Sequence, residues 1–599
     1  MHRFNPHTVT ILAFVISVAL SFTFFGNGIS GDFVFDDKIV IVGHPLITEE
    51  FPDVMAIFKD SYHSSQPRTG LYRPLTIASY AFNSYIFGTS PASFHVINIF
   101  LHAIVTFLLF IVVRQRVSVA VASIAAILFL VLPIHVEDVM SIVGRAELFS
   151  LLFVLAGLWA VYCRRWWLGA IFLFFGLLSK ESAIALIPIV VFEELFIRRQ
   201  AIKATILRML IFFPALAVYA LMRYSSLGEY VLSNDATAIY NPMKFVGFFP
   251  SLWTSGKVFF LYLQKTLVPT WFSIDYSFDM IPILNNPFHD LVAIAGLLIG
   301  LGLVALAVWK RSMPVGWAAF AFIATYGVIA NIVFKTGTIM AERLMYAPSF
   351  GLVILVALGI EYIRKKFGHE KILYGLVGLI LIFYGYKTID RNRDWLTEER
   401  LFERAYAVAP ESVVNRTNRS YLLYIKKDYT TAREEALQVL AIAPDHVPAL
   451  NLAAQTSKKL GDNKSAEAYW KKTIQLRDDY LRGYLGLGVL YYENGFFVPA
   501  EETLSKAISI YPRWTEILYL SLVKTGLKKY DEAIEVVISR FGENPDEPEL
   551  KFAIGVALYK KGDRDRANGY VMAIKSPSVS KEAFIQTIEK NTIFRVIDL

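Results

Sequence analysis

Two adjacent carboxylates, Asp36 and Asp37, follow the first apolar segment of the chain in the sequence Phe33-Val34-Phe35-Asp36-Asp37. Ionisable groups at the point where a helix leaves a bilayer are costly to hold and commonly serve chemistry or ion binding. A carboxylate in that place can accept the proton of an attacking hydroxyl group. The alternative is a solvated pair that only caps the next segment, and the pair alone does not decide between the two.

Every outer loop that we predict on this side of the membrane combines cations with carboxylates. Arg68 and Arg73 lie in the same loop as Asp36 and Asp37. The later loops carry His135, Glu137, Asp138, Arg145 and Glu147, then Lys180 and Glu181, and finally Glu342 and Arg343. One interpretation is ion pairing at the membrane surface. The other is a shared cavity, in which carboxylates activate a nucleophile and cations hold a lipid phosphate. In that second interpretation the phosphate ligands are Arg73, Arg145, Lys180 and Arg343.

The motifs of metal and nucleotide sites are weak or missing in the sequence. His135 with Glu137 and Asp138 is a poor match to metal-ligand spacing, so we expect no metal site and leave metal dependence open. The sequence has no phosphate-binding glycine loop, no dinucleotide fingerprint and no nucleophile elbow. A single cysteine, Cys163, excludes an internal disulfide framework.

Composition predicts a membrane body followed by a soluble tail. Of the 599 residues, 55% are hydrophobic, and the apolar runs lie before residue 390. Paired basic residues in alternate short loops predict a cytoplasmic N-terminus. We predict eleven crossings, a first outer loop at 30–93, and a second outer region at 223–288 that contains an interfacial helix at 245–268. The crossings are 9–28, 94–113, 117–134, 148–162, 166–178, 182–197, 205–222, 289–308, 315–334, 346–363 and 371–388.

The tail, residues 391–599, carries a repeat of about 34 residues. Alanines recur at positions 432, 466, 500, 533 and 567, and prolines follow at the ends of successive units. A small residue at this period, with a terminal proline, is typical of tetratricopeptide repeats, and we predict about five of them. Grooves of such arrays commonly bind peptides, although a passive spacer is the alternative.

Ordered motifs along nearly the whole chain, from about 30 to 575, resemble the transmembrane and tetratricopeptide-repeat family of protein O-mannosyltransferases. These are Phe33 to Asp37, Tyr72 to Thr76, His95 to His102, Pro133 to Glu147, Leu177 to Glu181, Pro250 to Pro282, Ala341 to Pro348, and Asn392 to Phe402. The resemblance implies an all-α fold: a polytopic GT-C-like membrane body with about eleven helices, then a tetratricopeptide α-solenoid.

The same resemblance implies inverting transfer of a sugar, mannose in that family, from a polyprenyl-phosphate carrier to Ser or Thr hydroxyls of a protein bound by the repeats. Asp36 and Asp37 would then supply the catalytic base, with a slight preference for Asp37. Two alternatives stay open: transfer to a lipid-linked or cell-envelope glycan, and a non-enzymatic membrane scaffold. We expect a bacterial cytoplasmic membrane with the repeats outside, or an endoplasmic reticulum membrane with the repeats in the lumen.

Overall fold

A computed structural model describes residues 6–64, 69–233, 237–278 and 280–574. Arg68 of the predicted cation set and the last part of the predicted tail, 575–599, lie outside these residues. The chain forms two compact units, Met1–Asn415 and Arg416–Leu599. Within the described ranges every regular element is a helix, which confirms the predicted all-α class.

The first unit contains helices of very different length. They are α1 Pro6–Phe25, α2 Val54–Lys59, α3 Pro74–Phe87, α4 Pro91–Val113, α5 Val119–Val131, α6 Val136–Met140, α7 Arg145–Tyr162, α8 Trp166–Ser179, α9 Leu186–Phe192, α10 Ile202–Met209, α11 Phe213–Leu227, α12 Phe248–Leu267, α13 Leu291–Trp309, α14 Pro314–Gly327, α15 Tyr346–Phe367, α16 Glu370–Asn392 and α17 Glu398–Val408. Prolines begin α3, α4 and α14, where a missing backbone N–H costs nothing.

Seven helical stretches of the described chain are long and apolar enough to cross a membrane, and an eighth crosses if one bent pair counts as a single span. The predicted count of eleven is therefore not confirmed. The predicted crossing at 166–178 is the short helix α8, and that at 182–197 is a succession of 3-10, α and π turns. The crossing at 315–334 loses its helix after Gly327, while α12 at the predicted interfacial segment is not among the candidate spans.

The bent pair brings one predicted polar loop into the interior. Val119–Val131 and Pro133–Met140 meet at 50°, because Pro133 cannot donate the hydrogen bond that would continue α5. Residues 133 to 142 are buried, so the cluster that contains His135, Glu137 and Asp138 lies between helices.

The acidic pair is positioned by contacts between the end of α1 and the end of α16. Asn392 donates its side-chain amide to the Phe24 carbonyl at 2.8 Å, and the Asp32 amide donates to the Leu396 carbonyl at 3.0 Å. Phe35, directly before the pair, has a left-handed backbone with φ of 52°, and its ring packs edge-on against Phe402. The turn is thus held from both sides in a conformation that costs a non-glycine residue free energy.

Residues 413–574 form five helix pairs, which make up the second unit as far as the structure describes it. They are α18 Val413–Ile425 with α19 Tyr429–Ile442, α20 Val447–Lys459 with α21 Asn463–Leu476, α22 Leu481–Glu493 with α23 Phe497–Ile510, α24 Trp514–Gly526 with α25 Tyr530–Phe541, and α26 Pro548–Lys561 with α27 Arg564–Met572. The five alanines of the repeat lie in the second helix of each pair and are fully buried, as the repeat period predicts.

Candidate functional site

Asp36 and Asp37 have different environments although they are adjacent. The Asp37 carboxylate is buried and accepts hydrogen bonds from the Val143 amide at 2.9 Å and the Val34 amide at 3.3 Å. Asp36 is half-buried, and no described residue donates a hydrogen bond to its carboxylate. Asp37 therefore fixes the turn, whereas Asp36 has oxygens available for a substrate.

The pKa of both carboxyls is raised. Burial is the main cause at Asp37, where it outweighs the backbone hydrogen bonds and brings the pKa to about 7. Burial also raises the pKa of Asp36, and the positive charge of Arg343 opposes that effect while Glu137 adds to it. A carboxyl with a raised pKa is a stronger proton acceptor when it is ionised, which suits a general base.

Arg343 lies within electrostatic range of Asp36 and is held by Glu137. Its Nη1 donates to Glu137 Oε1 at 2.5 Å, and its backbone amide donates to Glu137 Oε2 at 2.9 Å. A third of the Arg343 side chain is exposed, while Glu137 is buried. The guanidinium is thus oriented by one carboxylate and still has donors for an anion.

Lys180 and Arg73 are held in the same way. Lys180 forms an ion pair with the buried Glu147. Arg73 Nη2 donates to Glu181 Oε2 at 3.4 Å, and its guanidinium lies over the Tyr62 ring. Arg73 and Arg343 both lie within electrostatic range of Lys180. Arg73, Lys180 and Arg343, which we name the cation cluster, are therefore close together.

Asp138 is a fully buried carboxylate behind this cluster. Neither of its oxygens has a hydrogen-bond partner among the described residues, and Lys180 and Arg343 lie within electrostatic range. An unsatisfied buried carboxylate costs free energy and is rarely kept for packing alone.

The structure places Arg145 outside the cation cluster. Its Nε donates to Asn98, its Nη1 to Ser79, and its Nη2 to Asn83 and the Phe94 carbonyl. Since neutral acceptors occupy its donors, it has none left for a phosphate, and the predicted phosphate contact is replaced by a packing role between α3, α4 and α7.

His135 and Glu342 also lie away from the acidic pair. His135 packs in an aromatic group with Phe129 and Tyr346, and its Nε2 lies 2.8 Å from the Ser349 hydroxyl. Glu342 accepts hydrogen bonds from the Ser273 amide at 2.7 Å and from the Tyr276 hydroxyl. Its other oxygen faces Arg391. Within the ranges described, no group of three or more His, Cys, Asp or Glu side chains could hold a metal ion.

Sequence reasoning missed Tyr62 and Arg223. Tyr62 lies within electrostatic range of Asp36, Asp37, Arg73 and Arg343, and burial raises its pKa to about 12. Arg223 donates to the Gly70 carbonyl at 2.8 Å and pairs with Glu181 at 3.4 Å. Burial raises the pKa of Glu181, but the charges of Arg73 and Arg223 together bring it below its usual value. Arg223 is a basic residue directly after the apolar run 205–222, and this position is the sequence signal that could have identified it.

Comparison with known proteins gives a consistent set of relatives. Protein O-mannosyl-transferase TMTC3 of Mus musculus is 25% identical over 88% of this chain, and its Homo sapiens counterpart is 22% identical over 94%. Human protein O-mannosyl-transferase TMTC4 is 27% identical over 64% of this chain. The chain resembles the TMTC protein O-mannosyltransferases. This confirms the resemblance inferred from the motifs.

The chain is shorter than these TMTC relatives. It spans 62% of the length of mouse TMTC3, 71% of human TMTC3 and 60% of human TMTC4. No family model matches the chain. Among solved structures, a thermophilic TPR protein of Thermus thermophilus aligns with 27% of this chain and 88% of its own, at 24% identity and a TM-score of 0.24.

Proposed function

We propose that this protein is a membrane glycosyltransferase that transfers mannose from a polyprenyl-phosphate carrier to Ser or Thr hydroxyls of proteins. The proposal depends most on one observation: the Asp36 carboxylate has no hydrogen-bond donor among the described residues and lies within electrostatic range of Arg343. This is the arrangement that a hydroxyl nucleophile and a phosphate leaving group require.

The reaction follows from these positions. Asp36, and not Asp37 as the sequence slightly favoured, accepts the proton of the acceptor hydroxyl while the hydroxyl oxygen attacks C1 of the sugar. The bond between C1 and the phosphate oxygen breaks, and its electron pair goes to the polyprenyl phosphate. Attack from the face opposite the leaving group inverts the configuration at C1. Asp37 keeps the turn in place through the Val143 and Val34 amides.

The leaving phosphate gains one negative charge in this step. Arg73, Lys180 and Arg343 are already oriented by Glu181, Glu147 and Glu137, so they can stabilise that charge without rearrangement.

Location and acceptor complete the proposal. The candidate spans indicate a membrane protein, and we place the reaction on the extracytoplasmic side, which is the lumen if the membrane is that of the endoplasmic reticulum. The helix pairs of the second unit are the proposed site for the protein acceptor, because solenoid repeats commonly bind polypeptides.

The test is a transfer assay with the purified full-length protein in lipid. Synthetic polyprenyl-phosphate mannose and a Ser/Thr-rich protein acceptor are incubated together, and glycopeptides are identified by mass spectrometry. We expect hexose on hydroxyl residues, and none when GDP-mannose replaces the lipid donor. Transfer from the nucleotide sugar would contradict the donor assignment, and hexose found only on a lipid-linked glycan would contradict the acceptor assignment.

A further inference from the structure

An apolar groove with a volume of about 180 Å³ lies between α13, α14 and the segment that runs from α9 into the π turn Glu193–Ile197. We name it the α13 groove. Its surface is almost entirely apolar, and among the described residues Arg311 is the charged side chain that lines it. The lining includes Phe192, Phe196, Val304, Val308, Phe320 and Arg311.

Helix α13 packs closely on its neighbour near its beginning and loosely near its end. A Cβ added at Gly296 would clash with the Gly256 carbonyl oxygen of α12, so the two backbones touch at this point. After Gly296, Ala307 is the one buried residue of α13, while Val304 and Val308 are 46% and 59% exposed. The loosely packed end of this candidate span therefore leaves the groove open to lipid.

The opposite wall of the groove is a group of aromatic rings. The ring of Phe192 stacks on that of Phe320, with centroids 4.2 Å apart, and contacts the ring of Phe196 at 5.0 Å. The guanidinium of Arg311 lies over the Phe196 ring, 5.3 Å from its centroid. A cation–π contact thus holds a positive charge at the groove, and such a contact does not require the N–H donors of the arginine.

Protein carboxylates do not neutralise Arg311 in the described part of the chain. The two carboxylates of the adjoining π turn, Glu193 and Glu194, are buried and already paired with three other arginines, Arg116, Arg198 and Arg208. No described residue forms an ion pair or a hydrogen bond with Arg311. Its five donors are therefore available, and their planar arrangement suits the oxygens of a phosphate group.

Arg311 is at the depth of the lipid headgroups. It follows the last residue of α13, Trp309, by two positions, and Trp309 is 80% exposed. Tryptophan is enriched where the hydrocarbon of a membrane meets the headgroups. Lys310 adds a second positive charge at the same level, and basic pockets between membrane helices bind anionic headgroups.

We propose that the α13 groove binds one anionic phospholipid. A segment of an acyl chain lies along Val304, Val308 and the phenylalanine rings, and the headgroup phosphate accepts hydrogen bonds from Arg311. A polypeptide does not suit the groove, because so apolar a lining would leave its backbone N–H and C=O groups without partners. The site is separate from the acidic pair and goes beyond the proposed function, since it requires no sugar transfer.

The experiment locates the lipid by photocrosslinking on the full-length protein in phosphatidylcholine nanodiscs. Each nanodisc preparation contains a small fraction of phosphatidylglycerol with a diazirine in one acyl chain, or of the matching phosphatidylcholine. After irradiation, labelled peptides are identified by mass spectrometry. The variants are Arg311→Gln, which removes the phosphate ligand, and Val308→Trp, which fills the groove and keeps Arg311. Arg164→Gln, an exposed arginine after α7, is the matched control. Melting temperatures show that each variant is folded.

We expect phosphatidylglycerol to label the peptides that contain Phe192, Phe196 and Val304, and to label them more than phosphatidylcholine does. Arg311→Gln should reduce this labelling about fivefold, and Val308→Trp should abolish it, whereas Arg164→Gln should leave it unchanged. Equal labelling by the two lipids would overturn the proposal, because the groove would then not select a negative headgroup. Unchanged labelling in Arg311→Gln, or no label in the groove of the unmodified protein, would also overturn it. None of these outcomes depends on sugar transfer.

Discussion

Three aspartates of the repeat unit and two of the first unit have opposite environments. In the repeat unit, Asp428, Asp462 and Asp563 each accept a hydrogen bond from the backbone amide three residues later, at 3.1 to 3.3 Å. In the first unit, Asp36 and Asp138 have no donor among the residues described, and Asp138 is fully buried. The first group caps helices, which stabilises the fold. The second group costs stability and therefore indicates chemistry.

The same contrast separates the interiors of the two units. The repeat core depends on close packing of small and large apolar side chains, such as Ala454 of α20 and Trp470 of α21, which belong to one buried cluster. The interior near the acidic pair depends on ion pairs such as Lys180 with Glu147. Substitutions in the repeat core should therefore change folding, whereas substitutions near the acidic pair should change sugar transfer as well.

The largest expected effect is on the repeat core. Trp470 is buried and its Nε1 donates to Asn451 at 3.1 Å, so Trp470→Ala should lower the free energy of unfolding of the repeats by about 3–5 kcal/mol. Hydrogen exchange of α20 to α22 in the full chain measures this loss. The exposed Lys464→Ala is the matched control and should change little. Unchanged exchange in Trp470→Ala would contradict the packing assignment.

The next effect is on the cation cluster. Lys180→Met should reduce kcat for sugar transfer by about 10²–10³-fold, or about 2.7–4 kcal/mol, because one group that stabilises the leaving phosphate is lost. It also leaves Glu147 buried without its partner, which lowers the melting temperature. The double variant Lys180→Met with Glu147→Gln should recover the melting temperature and not the activity. Recovery of transfer in the double variant would show that Lys180 acts only through folding.

A smaller effect is a shift in the pH dependence of transfer. The base acts when ionised, so activity falls on the acid side as Asp36 is protonated. Burial raises the pKa of Asp36 and the charge of Arg343 opposes it. Arg343→Gln removes that opposition, so the acid limb of kcat against pH should move to higher pH. Arg223→Gln, whose partner is Glu181, is the matched control and should leave the limb in place. A shift to lower pH in Arg343→Gln would be inconsistent with Asp36 as the base.

The smallest effect concerns a single helix cap. Asp462 accepts from the Ser465 amide at 3.1 Å, so Asp462→Ala should destabilise the repeats by about 1 kcal/mol. Thermal unfolding of the full chain in lipid measures this, and Asp462→Asn, which retains the acceptor, should be close to wild type. Equal losses in both variants would mean that charge, and not capping, is what this position provides.

The repeat unit could be predicted from the sequence in more detail than the site. The period places Ala432, Ala466, Ala500, Ala533 and Ala567 on the buried face, because each repeat must pack on the next. The site could not be predicted in the same detail, because the hydrogen-bond and ion-pair partners of its side chains come from distant segments of the chain. The sequence predicts Arg145 to be a phosphate ligand. In the fold, however, its hydrogen bonds are accepted by Ser79, Asn83 and Asn98, which are all far from it in sequence.

Adjacent residues were the hardest to separate from the sequence. Glu342 and Arg343 share one 3-10 turn, in which successive side chains point about 120° apart. Glu342 therefore faces Tyr276 and Arg391, while Arg343 pairs with Glu137 and lies within electrostatic range of Asp36. Phe35, directly before Asp36 and Asp37, has a left-handed backbone that was not predicted, since neither its residue type nor the spacing of its neighbours indicates one.

The most direct test of Asp36 as the base compares Asp36→Asn with Asp37→Asn. Mannose transfer, donor binding and the melting temperature are measured for both variants, with the exposed Asp32→Asn as control. We expect Asp36→Asn to bind the donor and to melt like wild type while kcat falls by about 10²–10⁴-fold. Asp37→Asn should lower the melting temperature and reduce transfer less. Wild-type transfer by Asp36→Asn, in a protein that binds the donor, would contradict the assignment of Asp36 as the base.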